Sequence, residues 1–75
     1  MYSIYWNGEY IGYYEKKYDA YLTIRSIVIN NHGEILKHGT ETAVDTNGEQ
    51  HWYLVKFLDE NGNPSYEAMS IIKDN

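Results

Sequence analysis

Three Asn-Gly pairs, Asn7-Gly8, Asn47-Gly48 and Asn61-Gly62, punctuate this chain between runs of strand-forming residues. A type I′ turn needs positive φ at both central residues, which Gly takes freely and Asn tolerates, so Asn-Gly between alternating apolar runs predicts a tight hairpin. The strongest case is Gln50–Ile72, QHWYLVKFLDENGNPSYEAMSII. Its first arm is apolar on both alternating sets, Trp52, Leu54 and Leu58 on one and Tyr53, Val55 and Phe57 on the other. Such a strand is expected to be covered on both faces or central in its sheet. A two-residue loop sets Glu60 against Asn63, and hence Leu54 against Met69, Trp52 against Ile71, Phe57 against Tyr66 and Lys56 against Glu67. Pro64 then belongs near a strand start, where its missing N–H costs least.

Tyr2–Trp6 and Glu9–Tyr14 flank the first pair. Its register puts Tyr2, Ile4, Trp6, Ile11 and Tyr13 on one face and Ser3, Tyr5, Tyr10, Gly12 and Tyr14 on the other. Pairing of Ile4 with Ile11 marks the core side. The opposite face then shows three tyrosines beside Gly12, open to a ligand or covered by a helix or a second subunit.

Asp19–Asn31 reads as a helix with Asp19 as N-cap and Gly33 available for a left-handed C-terminal cap. Ala20, Ile24, Ile27 and Val28, with Tyr21 at the edge, share one stripe. Leu22 and Ile29 fall on the far side near Arg25, as a small exposed patch or as a sign against the helix. The β-branched content of Tyr21–Ile29 keeps a strand as the alternative. Beyond Gly33 the pattern is weaker: an apolar pair Ile35-Leu36, then a strand over Thr40–Thr46 that turns at Asn47-Gly48. That turn pairs Val44 with His51, Thr42 with Tyr53 and Ala43 with Trp52.

At 75 residues the chain is expected to form one domain, 1–75, of α+β class: an N-terminal β-hairpin, one α-helix, then a three-strand antiparallel meander, the helix packed on one sheet face. A core of this size supplies only about 3–5 kcal/mol, so self-association, as a homodimer, is a natural way to add stability. With no cysteine, disulfides and thiolate metal sites are excluded. The N-terminus shows no basic region ahead of a long apolar run, so no signal peptide is expected and a cytoplasmic location is. No apolar run approaches the roughly twenty residues of a membrane span.

Eleven acidic against six basic residues give a formal net charge of −5, which argues against direct contact with nucleic acid and for a basic protein partner. Tyrosine is overrepresented, with nine Tyr and two Trp against one Phe, and a ring with one apolar body and one wet tip suits a contact surface. The partner-binding candidates are therefore Tyr5, Tyr10 and Tyr14 as anchors, with Glu41, Asp45 and Glu49 as charge complement. The stretch from His38 to Val55 has no Lys or Arg, so that edge is locally acidic. Edge charges also discourage unwanted strand pairing.

His32, His38 and His51 follow no metal-ligand spacing, and neither a metal nor a cofactor is expected. Neither a G-x-S-x-G element nor a Gly-rich phosphate loop is present, and catalysis is not expected. The hairpin, helix, hairpin outline resembles small phage and mobile-element inhibitors of host enzymes in size and layout. That resemblance implies a non-catalytic, acidic inhibitor docking on a basic, nucleic-acid-handling protein. Two alternatives remain: a carbohydrate-binding module stacking sugars on the tyrosine face, and a homo-oligomeric structural protein burying that face in its own interface.

Overall fold

The computed structural model describes residues 1–43 and 48–73. Five antiparallel strands form one sheet, accompanied by one helix: β1 Tyr2–Trp6, β2 Glu9–Tyr14, α1 Lys17–Asn30, β3 Glu34–Ala43, β4 Gly48–Leu58 and β5 Pro64–Lys73. The strand order is β2-β1-β5-β4-β3, so β5 lies at the centre and the two edges are β2 and β3. Ile4, Tyr53, Val55, Phe57, Met69 and Ile71 from the strands and Ala20, Ile24 and Val28 from the helix make one buried cluster. Because side chains alternate along each strand, all six strand members share one face, called here the core face. The other is the outer face.

α1 is a helix and not a strand, and its N-cap lies three residues earlier than expected. The N-cap is Lys16, with no side-chain cap bond, and Asp19 lies in the first turn, where a carboxylate complements the helix dipole. At the other end His32, not Gly33, takes the left-handed position, with φ 56°. His32 N–H donates to Ile29 O at 3.1 Å and Gly33 N–H to Val28 O at 2.7 Å, the paired bonds of a Schellman closure. Gly33 serves another purpose: a Cβ there would stand 2.7 Å from the Phe57 ring. Leu22 and Ile29 are exposed, so the far-side apolar residues are a surface patch.

The β1-β2 turn is as expected, with Asn7 at φ 50° and Gly8 at φ 83°, Trp6 opposite Glu9 and Tyr5 opposite Tyr10. A bulge between Ile4 and Tyr5 then changes the register, pairing Ile4 with Gly12, Ser3 with Tyr13 and Tyr2 with Tyr14. The Ile4–Ile11 pair does not form. Past the bulge the two sets exchange faces, as one extra residue in a period of two must cause.

The β4-β5 hairpin is slipped by one residue from the two-residue register: Leu58 faces Pro64, Leu54 faces Ala68, Tyr53 faces Met69 and Trp52 faces Ser70. The cause is Asp59. Its carboxylate accepts from the N–H groups of Asn61 and Asn63, each at 2.8 Å, while Gly62 N–H donates to Asp59 O at 3.0 Å. This is a longer turn in which Gly62 alone, at φ 80°, takes the left-handed region. The slip sorts the arm that was apolar on both sets: Tyr53, Val55 and Phe57 are buried, Leu54 and Leu58 exposed.

β3 begins at Glu34, earlier than Thr40, and its register with β4 differs from the expected one. Thr40 faces His51, Gly39 faces Trp52, His38 faces Tyr53 and Thr42 faces Glu49, with a bulge between Ile35 and Lys37. The pairs of Thr42 with Tyr53 and Ala43 with Trp52 therefore do not form. Val44, Asp45, Thr46 and Asn47 lie outside the described residues.

Candidate functional site

The registers stack the outer face into rows that cross the whole sheet. One runs Gly39, Trp52, Ser70, Tyr5, Tyr10 from edge to edge. On one side of it lies the row Lys37, Leu54, Ala68, and on the other Glu41, Gln50, Ile72, Ser3, Tyr13. Beyond the first comes Glu34, Lys56, Tyr66.

Bulky side chains stand at intervals on this face. Tyr10 is 51 % exposed, Tyr13 60 %, Leu54 38 %, Leu58 47 % and Tyr66 61 %. The Tyr5 and Tyr10 rings meet edge to face with centroids 5.8 Å apart, a contact that pre-orders both. At the opposite edge the Trp52 indole lies down over Gly39, where a Cβ would stand 2.5 Å from the ring. An aromatic ring laid over an edge glycine covers backbone that would otherwise be open to water. Trp52 and the Tyr5-Tyr10 pair thus flank the small residues Ser70 and Ala68 on β5.

Of the six sequence-derived candidates, Tyr5 and Tyr10 come together on this face and Glu41 joins it at the β3 edge. Tyr14 does not: the bulge carries it past Gly12 to the core face, where it packs, half-buried, against the core cluster. Asp45 lies outside the described residues. Glu49 shares the core face of β4 with His51. Its carboxylate accepts a hydrogen bond from His51 Nε2 and stands 3.4 Å from Lys17 Nζ at the start of α1. The imidazole bond, helped by the Lys17 ammonium, holds the Glu49 carboxyl below the usual carboxylate range. It is a tie between helix and sheet, not a free charge. Tyr13, Trp52, Leu54 and Tyr66 are the outer-face residues that periodicity missed; only the bulge and the slipped turn, neither visible as a pattern, place them there.

Thr40 Oγ1 stands 3.0 Å from His51 Nδ1. With Nε2 bonded to a carboxylate, Nδ1 accepts from the hydroxyl, so Thr40, His51 and Glu49 form a hydroxyl, imidazole, carboxylate line. That is the order of an acyl-transfer relay. The neighbouring shallow cavity, about 170 Å³, is lined by Glu41, Thr42, Gly48, Glu49, Gln50 and Ile72, so neither the Thr40 hydroxyl nor the imidazole opens into it. A second hollow is lined by Trp6, Asn7, Glu9 and Glu67, but there the Glu67 carboxylate accepts from Trp6 Nε1 at 2.9 Å and Asn7 Nδ2 at 2.8 Å. Among the described residues no three His, Asp or Glu side chains converge as a metal site, and no helix is long and apolar enough to cross a membrane.

No protein-family model, curated protein or solved structure matches this chain.

Proposed function

We propose that this protein is a small, non-catalytic protein-binding module that docks through the outer face of its sheet, with the helix covering the core face. One observation carries the reading: five large apolar or aromatic side chains stand more than a third exposed on a single face, around two aromatic platforms. Rings with hydroxyl tips and aliphatic knobs around small residues have the composition of a protein contact surface. Among the described residues the outer-face rows carry two Lys, 37 and 56, against two Glu, 34 and 41, so the acid surplus of those residues lies off this face. A net charge of −5 elsewhere favours encounter with a basic partner, of which a nucleic-acid-handling protein is the concrete form. The Tyr5 and Tyr10 pair supplies anchors, while Tyr14 and Glu49 serve the fold.

The test is capture of partners by the tagged chain at low and high salt, comparing the natural sequence with a Tyr10→Ser, Tyr66→Ser double variant. Loss of capture with an unchanged circular dichroism spectrum is the expected result. Capture that survives both substitutions would remove the outer face from the reading.

A further inference from the structure

We infer that the outer face is made to take a second copy of this chain, paired about a two-fold axis that runs along the row Gly39, Trp52, Ser70, Tyr5, Tyr10. The inference rests on the outer face being a protein-docking surface and sets a second copy there in place of the basic partner.

A two-fold axis parallel to the sheet, above its outer face and perpendicular to the strands, maps each strand over its own copy and exchanges the rows on either side. With the axis along the central row, the row Lys37, Leu54, Ala68 meets the row Glu41, Gln50, Ile72 of the second copy. Lys37 then faces Glu41, and Glu41 faces Lys37. Both stand two residues from Gly39 on the same strand, about 6.6 Å from the axis on opposite sides. Within one chain they are about 13 Å apart, too far to pair. Size complements in the same way: the methyl of Ala68 comes over the larger Ile72, and Ile72 over Ala68. Leu54 meets the aliphatic stem of Gln50. On β3, β4 and β5 each residue of one flanking row finds a fitting counterpart in the other, the self-complementarity that a two-fold interface demands.

Charge and area agree. Among the described residues the outer-face rows are balanced in charge although the molecule carries −5, so two copies approach through the face that repels least. The axis leaves about 13 Å of β4 on its shorter side, so a face of about 26 Å by 21 Å, roughly 550 Å² per copy, overlaps, the size of a small, reversible interface. Stacked sheets twist by about 30° relative to each other, which moves Lys37, on the edge strand about 12 Å from the sheet centre, by about 6 Å, a gap that a Lys side chain spans. Burying this face also adds the apolar surface that a 75-residue core lacks.

Sedimentation equilibrium of the full chain over a wide concentration range is the experiment, run on the natural sequence, Lys37→Glu, Glu41→Lys and the double exchange. The expected results are a dimer, a dissociation constant raised about tenfold or more by either single exchange at low salt, and recovery in the double exchange. Lys37 and Glu41 are exposed strand residues, so folding of each variant is checked by circular dichroism. A natural chain that stays monomeric, or single exchanges without effect on the dimer, would overturn the pairing. If the chain is monomeric while Tyr10→Ser, Tyr66→Ser still abolishes capture of another protein, the second copy is excluded and the docking face stands. If neither association nor capture responds to outer-face substitutions, both readings fall.

Discussion

At φ 56° His32 closes α1 from the left-handed region, where an L side chain crowds the neighbouring backbone. The two N–H groups that follow the helix reach Ile29 O and Val28 O only with this residue so turned. His32→Gly is therefore expected to raise stability by about 0.5–1 kcal/mol, the relief of that crowding less the larger freedom of glycine in the unfolded chain. Urea unfolding with an unchanged slope and a higher midpoint would show it. The residue type misled at this position: Gly33 is the usual helix stop, yet the Phe57 ring presses against it and requires a missing side chain there. Nothing in the local sequence tells of a ring 24 positions away. Tyr14 was misplaced for a similar reason, since its face depends on a bulge three residues before it, at Ile11, and not on its own chemistry.

Each hairpin was legible as an element, but each register departs from the expected one, through a bulge in β1-β2 and a longer turn in β4-β5. The β1-β2 turn was read correctly because Asn7 and Gly8 both take positive φ, as a two-residue loop requires. The β4-β5 turn was misread because Asp59, a residue outside the Asn-Gly pair, gathers the N–H groups of Asn61 and Asn63 and lengthens the loop. Those bonds, the one from Asn63 foremost, hold the Asp59 carboxyl below its ordinary range. A carboxylate depressed on folding adds stability that is fully present above about pH 4 and is lost as the pH falls through its folded value. The thermal midpoint is thus expected to drop on acidification below pH 4, and less steeply in Asp59→Asn, which keeps an accepting oxygen without the charge. Glu49, depressed by His51, leaves part of the slope in place. An identical acid profile in both proteins would count against the role given to Asp59.

On the scale of the molecule, one small core joins helix and sheet, with Ile4, Ile24 and Val55 fully buried within it. Ile24→Ala is expected to cost about 2–4 kcal/mol, comparable with the roughly 3–5 kcal/mol a domain of this size commands. Its far-ultraviolet circular dichroism should therefore show a largely lost cooperative transition at 25 °C. Burial also raises the Tyr53 hydroxyl above its ordinary range, consistent with a ring drawn into that core from the strand. The α+β class, the antiparallel sheet, the helix and the pairing of Tyr5 with Tyr10 followed from periodicity and turn chemistry, which act between residues close in sequence. The sequence by itself could show that 52–58 alternates between two apolar sets, but not which set is buried. That was decided when Met69 and Ile71 met Tyr53 and His51 instead of Leu54 and Trp52, a slip of one residue that turns every side chain to the other face. Local spacing sets what a strand can offer; only the packing of distant strands and a helix against one another chooses the face that is offered.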